Sequence, residues 1–508
     1  MSGHHAKNIV FVFSDQHRWC STGFGGSRQV RTPYMDRMAD EGVVFDLAVS
    51  NIPVCTPWRA ALLTGQYPLT TGMFMNDERL PTDRPTLGTV LRAEGYDTAY
   101  IGKWHLDGPS RSGFTPPGPR RQGFEFWAVG NCTHDYMHSL YYRDSDAPLY
   151  WNGYDAEAQT TLAIEYIRNR SRGRGGDRNG DRSRDGSQDR KRKRASDRPF
   201  ALVLSWGPPH NPYDAVPARY LDLYPPEEVE VRPNCPDPAR ADLAGYYAHI
   251  TALDDQLARL GGVLEELGLM DETIFVYTSD HGDMLGSQGR QRKQHPWDES
   301  IRVPFVMRCP DQADQADQTD QADQTDQADQ TDQAHAGLRI DTPFNVVDIM
   351  PTLLGLAGIP VPDTCEGRDH APAVRGETFT GNEAGYIMSI APFSEYRGQP
   401  WRGIRTAGHT YVRNLDGPWL LYDNREDPCQ LSNLVGREEH ADLEARLDGQ
   451  LQQEMALRGD ALLPAGHYLE RFDYEVNDSG AVPYETAVPP PGRRGSPDHG
   501  GSPARSTR

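Results

Sequence analysis

Four apolar runs in this sequence each end in side chains able to bind a cation or move a proton. "NIVFVFSDQ" closes on Asp15 and Gln16, and "TAYIGKWH" on Lys103 and His105. "FALVLSWGPPH" closes on His210, and "TIFVYTSDHGD" on Asp280 and His281. One such ending is ordinary turn chemistry, since Asp after a strand often bonds its own backbone. Four together point to one site. Asp15, Gln16 and Asp280 offer hard oxygens, and His281 offers a nitrogen. Two carboxylates at one sheet edge repel each other unless a cation lies between them. Oxygen-rich coordination suits Ca²⁺ or Mg²⁺, and the imidazole shifts weight toward Mn²⁺. Such a cation would hold and polarise an anionic oxygen of a substrate.

Cys55 opens "CTPWRAALLTG", which has Pro57 near the first turn of a short helix and Gly65 just past its end. Backbone N–H groups and the helix dipole favour an anion at that position and lower a thiol's pKa. Two readings follow from the residues alone: a thiolate nucleophile, or a buried and inert cysteine.

The elements that must position these groups read as βαβ units. The runs 8–13, 98–102, 200–206, 273–279 and 303–308 are continuously apolar, as strands buried on both faces should be. Helical patterns separate them at 33–41, 58–64, 85–94, 156–168, 240–267 and 346–357. The pattern predicts a doubly wound, mostly parallel sheet with helices on both faces, whose ligands bind beyond the carboxyl ends of the strands. After about 385, short alternating runs predict antiparallel strands, with a helix over 438–457 packed on them. The expected organisation is a catalytic α/β domain over 1–384, a small C-terminal α+β subdomain over 385–485, and a disordered tail over 486–508.

Two low-complexity insertions, 169–198 and 311–335, interrupt the first domain. Residues 168–198 carry 13 Lys/Arg and 5 Asp, and the DQA/DQT repeat over 311–333 carries 8 Asp. Neither can bury a core, so both are expected to be solvated loops. The whole chain has a net charge of −21, which gives no long-range attraction to nucleic acid or to an anionic membrane. An anionic substrate therefore needs a local cluster of cations. Seven cysteines without a CxxC pair exclude a disulfide framework or zinc ribbon. No apolar run approaches a membrane span, and no secretory leader is evident, so a cytoplasmic location is expected.

Cys-x-Pro-x-Arg followed by "LLTG" resembles the sulfatases of the alkaline-phosphatase-like superfamily. So do Asp after the first strand, Lys-x-His after a later one, and "SDHGD" further on. The resemblance covers roughly residues 7–440. It implies an alkaline-phosphatase-like fold and hydrolysis of an organic sulfate ester, of which a sulfated carbohydrate is the expected class. It also implies that Cys55 is oxidised to Cα-formylglycine by a separate maturase that reads the motif. One hydroxyl of the hydrated aldehyde can attack sulfur, and the other can then expel sulfate. A thiolate would instead be left as a stable thiosulfate ester. By the same resemblance Asp15, Gln16, Asp280, His281 and the modified Cys55 hold one divalent cation, Ca²⁺ before Mn²⁺ or Mg²⁺. Arg59 supports the diol, and Lys103 and Lys293 hold the sulfate oxygens. His105 is the base and His210 the acid, a task that suits an imidazole with a reference pKa of about 6.5.

Three positions depart from the commonest pattern: Trp58 in place of Ser or Ala, Gln16 in place of a second Asp, and His281 in place of Asn. The Asp-Gln and Asp-His combination also resembles phosphonate monoester hydrolases and choline sulfatases. Hydrolysis of a phosphonate or phosphate diester is therefore the rival enzyme reading, and an unmodified anion-binding protein the rival from another class. "NCTHDYMHSLYY" (131–142) reads either as a sugar-binding wall or as a packed aromatic loop. The sequence does not specify an oligomeric state.

Overall fold

Every residue of the first strand is buried, and its two faces feed two different cores. In the computed structural model, Ile9, Phe11 and Phe13 face one hydrophobic cluster and Val10 and Val12 the other. The structure describes residues 7–174, 198–236, 239–310, 337–394, 396 and 398–485. The large sheet contains β1 (Asn8–Asp15), β2 (Val43–Phe45), β3 (Asp97–Lys103), β4 (Phe126–Gly130), β5 (Phe200–Pro209), β6 (Thr273–Ser279), β7 (Phe305–Arg308) and β8 (Leu338–Ile340). Their spatial order is β8-β2-β7-β6-β1-β5-β3-β4. β7 runs antiparallel to both neighbours, while the other pairs are parallel.

The helices Cys55–Thr64, Leu87–Ala93 and Val346–Leu356 cover one face. Pro33–Glu41, Asp155–Arg174 and Arg240–Glu266 cover the other. This is the doubly wound arrangement that the apolar runs predict, with two corrections. The run 303–308 is split: Arg302–Val303 joins a small separate sheet, and only Phe305–Arg308 enters the large one. The helix expected to end at 168 continues to Arg174, so the first residues assigned to the basic insertion are helical. Ion pairs anchor that extension, Arg168 to Glu266 at 2.7 Å and Arg170 to Asp97 at 2.5 Å. The remainder of that insertion up to 197, the 311–335 insertion and the 486–508 tail lie outside the described residues. Among the described residues, no helix is long and apolar enough to cross a membrane.

The C-terminal part forms a four-stranded antiparallel sheet: β9 (Gly385–Ser389), β10 (Trp401–Arg405), β11 (His409–Asn414) and β12 (Gly417–Asp423). The helix Ala441–Leu457 packs Leu447, Leu451 and Met455 into the core that also contains Ile404, Tyr411 and Trp58. One hydrophobic core thus runs from the large sheet into the C-terminal sheet.

A buried ion pair ties this region together. Arg402 on β10 pairs with Asp460, and both side chains are inaccessible. Tyr386 and Tyr468 donate to the same carboxylate at 2.7 and 2.8 Å. Burial pushes Asp460 up, but Arg402 and the two hydroxyls bring it down to about 2. Its folded pKa lies below the unfolded value of 3.8, so the stability it confers is complete above about pH 4 and is lost as pH falls toward 2. Asp460→Ala is expected to cost about 3–5 kcal/mol at pH 7, because it leaves Arg402 buried and unpaired. Urea unfolding of the two proteins measures the difference. A loss below about 1 kcal/mol would refute the role assigned to the pair.

Candidate active site

Strand register brings the two acids together. β1 and β6 are parallel with Ser14 opposite Ser279, so the next residues, Asp15 and Asp280, emerge side by side. The chain turns away through Gln16 in the left-handed region (φ 77°), and its backbone N–H donates to Asp280 Oδ1 at 3.0 Å. His281 N–H donates to the same oxygen at 2.9 Å.

The third element is the helix Cys55–Thr64, in which Cys55 and Arg59 share a face because they are four residues apart. Pro57 falls in the first turn, where its missing N–H leaves no helical bond unmade. The N–H of Thr56 finds Asn76 Oδ1 at 3.0 Å. Gly65 ends the helix at φ 65°, and a Cβ there would lie 2.8 Å from Cys365 Sγ. Trp58 points away from the site and lies against Phe13, with ring centroids 5.2 Å apart. This departure from the usual motif is therefore absorbed by the core.

Arg59 crosses beneath β5, between β1 and β3. It donates to Ser205 Oγ at 2.7 Å and Lys103 O at 2.8 Å, and pairs with Asp280 at 3.2 Å and Asp15 at 3.4 Å. Lys103, at the end of β3, reaches Asp15 Oδ2 at 2.5 Å and Cys55 Sγ at 3.9 Å. Lys293 approaches the same sulfur at 3.0 Å from the other side. Its neighbour Gln294 is clamped by the carbonyl of Pro53 and by the C-terminal sheet: Gln294 N–H donates to Pro53 O at 3.2 Å, and Trp401 Nε1 to Gln294 O at 3.2 Å.

The ligand-type atoms of Asp15, Cys55, Asp280 and His281 all lie within 4.8 Å of one another. His281 Nε2 is 3.3 Å from Cys55 Sγ and 3.5 Å from an oxygen of each carboxylate. Its Nδ1 faces Gly282 O at 3.0 Å and so carries the proton, which leaves the Nε2 lone pair for the site. Gln16 Nε2 donates to Asp283 Oδ2 at 2.7 Å, while Gln16 Oε1 is buried without a partner. A hard, unsatisfied oxygen beside two carboxylates and an imidazole fits a divalent cation.

Electrostatics support the same reading. Burial pushes Asp15 up, but Lys103 and Lys293 hold it well below the usual carboxylate range. Burial and the charge of Asp15 push Asp280 up. Burial and Asp15 also raise Cys55, yet Lys103, Lys293 and His281 outweigh them, so the thiol is well below its usual value. Two ammonium groups and an imidazole thus favour an anion at position 55.

The two remaining candidate histidines are shifted in opposite directions. Burial, Lys293 and His134 push His210 well below its usual value. Its ring stacks on His134 at 4.5 Å, and its Nδ1 lies 2.8 Å from Asn211 O. Burial also lowers His105, but the Cys132 sulfur and Asp77 override it and bring the group up to about 10.

All ten candidate residues thus converge on one end of the sheet, including Lys293, which no strand pattern predicts. The sequence reading missed Asp283, which orients the Gln16 amide, and Ser205, which anchors Arg59. It also missed Asp77 and Cys132 as neighbours of His105. Asp283 closes the "SDHGD" motif and was visible there. Asp77 carries no local signal, because its role depends on a histidine 28 residues away.

A sheet wound in this order, with its charged groups gathered beyond the carboxyl ends of the central strands, is an alkaline-phosphatase-like fold. Within that class, the sulfatase family model matches residues 7–359, and the chain belongs to the sulfatase family. A second model, for the C-terminal region of N-sulphoglucosamine sulphohydrolase, matches residues 331–456. An ulvan-active sulfatase of Formosa agariphila is 38% identical over 487 residues, covering 94% of this chain and 86% of the relative. The solved structure of yidJ from Bacteroides fragilis superposes with a TM-score of 0.72 at 26% identity, covering 92% of this chain and 98% of that one. The phosphonate monoester hydrolase of Agrobacterium radiobacter shares the fold, with a TM-score of 0.61 at 20% identity and coverage of 94% and 100%. The protein is a sulfuric ester hydrolase.

Proposed function

We propose that the enzyme removes sulfate from a sulfated carbohydrate, using Cα-formylglycine at position 55 and one divalent cation, Ca²⁺ by preference. The cation would be held by Asp15, Gln16, Asp280, His281 and residue 55. The observation that carries this reading is the meeting of two ammonium groups, two carboxylates and an imidazole around one buried side chain, Cys55. The formylglycine hydrate supplies the nucleophile, and the cation supplies Lewis acidity toward the sulfate oxygens.

The chain's own residues bind, orient and exchange protons. Lys103 and Lys293 flank position 55 and would neutralise the sulfate oxygens. Arg59 braces Asp15 and Asp280 from below. A sulfate anion between the two lysines offsets the cationic field that depresses His210, which favours a proton on that ring for the leaving oxygen. Loss of the Cys55 sulfur removes one of the groups that raise His105, which favours its role as acceptor.

A carbohydrate substrate is supported by stacked rings in the 131–150 segment. His134 stacks on His210, and Tyr150, which is 43% exposed, stacks on His138 at 4.6 Å. Exposed ring faces suit pyranose rings. The relative named for ulvan agrees with this class.

Hydrolysis should be measured as sulfate release from sulfated oligosaccharides and as phenol release from an aryl sulfate and an aryl phosphodiester. The oligosaccharide is expected to show the highest kcat/KM. A preference for the phosphodiester would overturn the sulfate-ester assignment, and a preference for the small aryl sulfate over every sugar would overturn the carbohydrate.

A further inference from the structure

His105 presents two ring nitrogens in the site, and one of them is already engaged. Nε2 lies 3.0 Å from Asp77 Oδ1, while Nδ1 is buried without a hydrogen-bond partner. Asp77 is 2% exposed and is gripped from the other side by Arg111, whose Nε and Nη2 donate to its two oxygens at 2.7 Å each. Arg111 in turn lies under the ring of Tyr484, with Cζ 3.4 Å from the centroid. The backbone joins the same link: Arg111 N–H donates to Glu485 O at 3.0 Å, and Glu485 N–H to Pro109 O at 2.9 Å.

Both ends of the contact are held in costly backbone conformations. Asp77 has φ 70° and His105 φ 56°, in the left-handed region. Such residues persist where the surroundings over-determine them. Thr56, the neighbour of Cys55, ties them together: its hydroxyl donates to His105 O at 2.8 Å and accepts from Asp77 N–H at 3.4 Å.

We propose that Asp77 is a positioning residue for His105, and that Arg111 and Tyr484 of the C-terminal segment hold Asp77 in place. A carboxylate on Nε2 fixes which nitrogen carries a proton there and prevents the ring from flipping, so that Nδ1 stays turned to the site. The bidentate grip of Arg111 fixes the plane of that carboxylate. Cation–π contact with Tyr484 then makes the geometry of a catalytic histidine depend on a residue near the end of the described chain. The inference rests on the reading of His105 as a proton-transfer group.

The test uses the full-length modified enzyme, with kcat and KM measured separately and thermal melting as the check on folding. Asp77→Asn is expected to lower kcat about 10–100-fold with KM nearly unchanged. Arg111→Lys keeps the charge but breaks the fork, and is expected to show the same split with a smaller loss; it stands in if Asp77→Asn does not fold. Tyr484→Ala is expected to lower kcat about 2–10-fold, with Tyr484→Phe recovering it. In His105→Ala, adding Asp77→Asn is expected to cost nothing further, since the two act as a unit. Additive losses in that double variant, or a change confined to KM, would overturn the inference. An inactive His105→Ala beside an unaffected Asp77→Asn overturns it alone, whereas a fully active His105→Ala overturns the role of His105 as well.

Discussion

Cys55→Ala is expected to lower turnover of an aryl sulfate by about 10⁴–10⁶-fold, the range seen when a covalent nucleophile is deleted. The fold should survive. The change removes one sulfur from a site whose cations keep other partners: Lys103 retains Asp15, and Arg59 retains Asp15, Asp280 and Ser205. Equal melting temperatures with lost activity would locate the defect in chemistry. The companion measurement is the mass of the peptide around Cys55 in the wild-type enzyme. If the formylglycine reading holds, activity should scale with the fraction of aldehyde in different preparations. A fully active sample containing only the thiol would replace that reading with a thiolate mechanism, for which the depressed thiol pKa provides a basis.

The second large effect concerns the cation. A chelator is expected to abolish hydrolysis in the wild type, with activity restored by added Ca²⁺ or Mn²⁺. Asp280→Asn is expected to lower both metal content and turnover by at least about 100-fold. The two carboxylates differ in a way that sharpens the test. Both carboxylates face His281, but Asp15 is also neutralised by Lys103 and Arg59, while Asp280 has Arg59 without Lys103 and is raised by burial and the charge of Asp15. Without metal, Asp280→Asn should therefore melt no lower than the wild type. With metal the order should reverse, because binding to the native state stabilises only the protein that retains the site. A wild type that is equally active and equally stable in metal-free buffer would refute the centre.

Much of this was legible because strands buried on both faces are written as unbroken apolar runs. β1, β3, β5 and β6 could be placed from such runs, and each hands its next residues to the site. What the runs do not encode is register. That Ser14 lies opposite Ser279 follows from the packing of two cores, and without it Asp15 and Asp280 are only two acids after two strands. The three-residue strands Val43–Phe45 and Leu338–Ile340 are too short to leave a periodic signal. The helix extension to Arg174 was misread for another reason. Arg-rich sequence resembles a loop by composition, yet Arg is a good helix former and here finds acidic partners across the surface. Lys293 was found by motif alone, since a clamp on Gln294 from Trp401, over a hundred residues later, puts it in place. Residues that act through another residue, such as Asp77 and Asp283, leave no mark until the partner's position is known.

Cys55 is 1% exposed, in the first turn of a helix that is buried along its whole length. No second enzyme could close on that side chain in the finished molecule. Any oxidation of Cys55 by a separate protein is therefore a race against folding, won while the segment is still extended. Geometry lengthens the window. β6 and Lys293, which complete the surroundings of Cys55, leave the ribosome more than two hundred residues after it. The rest of the chain takes on the order of a minute to emerge at about 5–20 residues per second. A sheet that joins distant strands also closes slowly. If Cys55 is modified as proposed, the fraction of working enzyme in a cell is set by kinetics during synthesis, and faster folding would yield a more stable population with fewer active members.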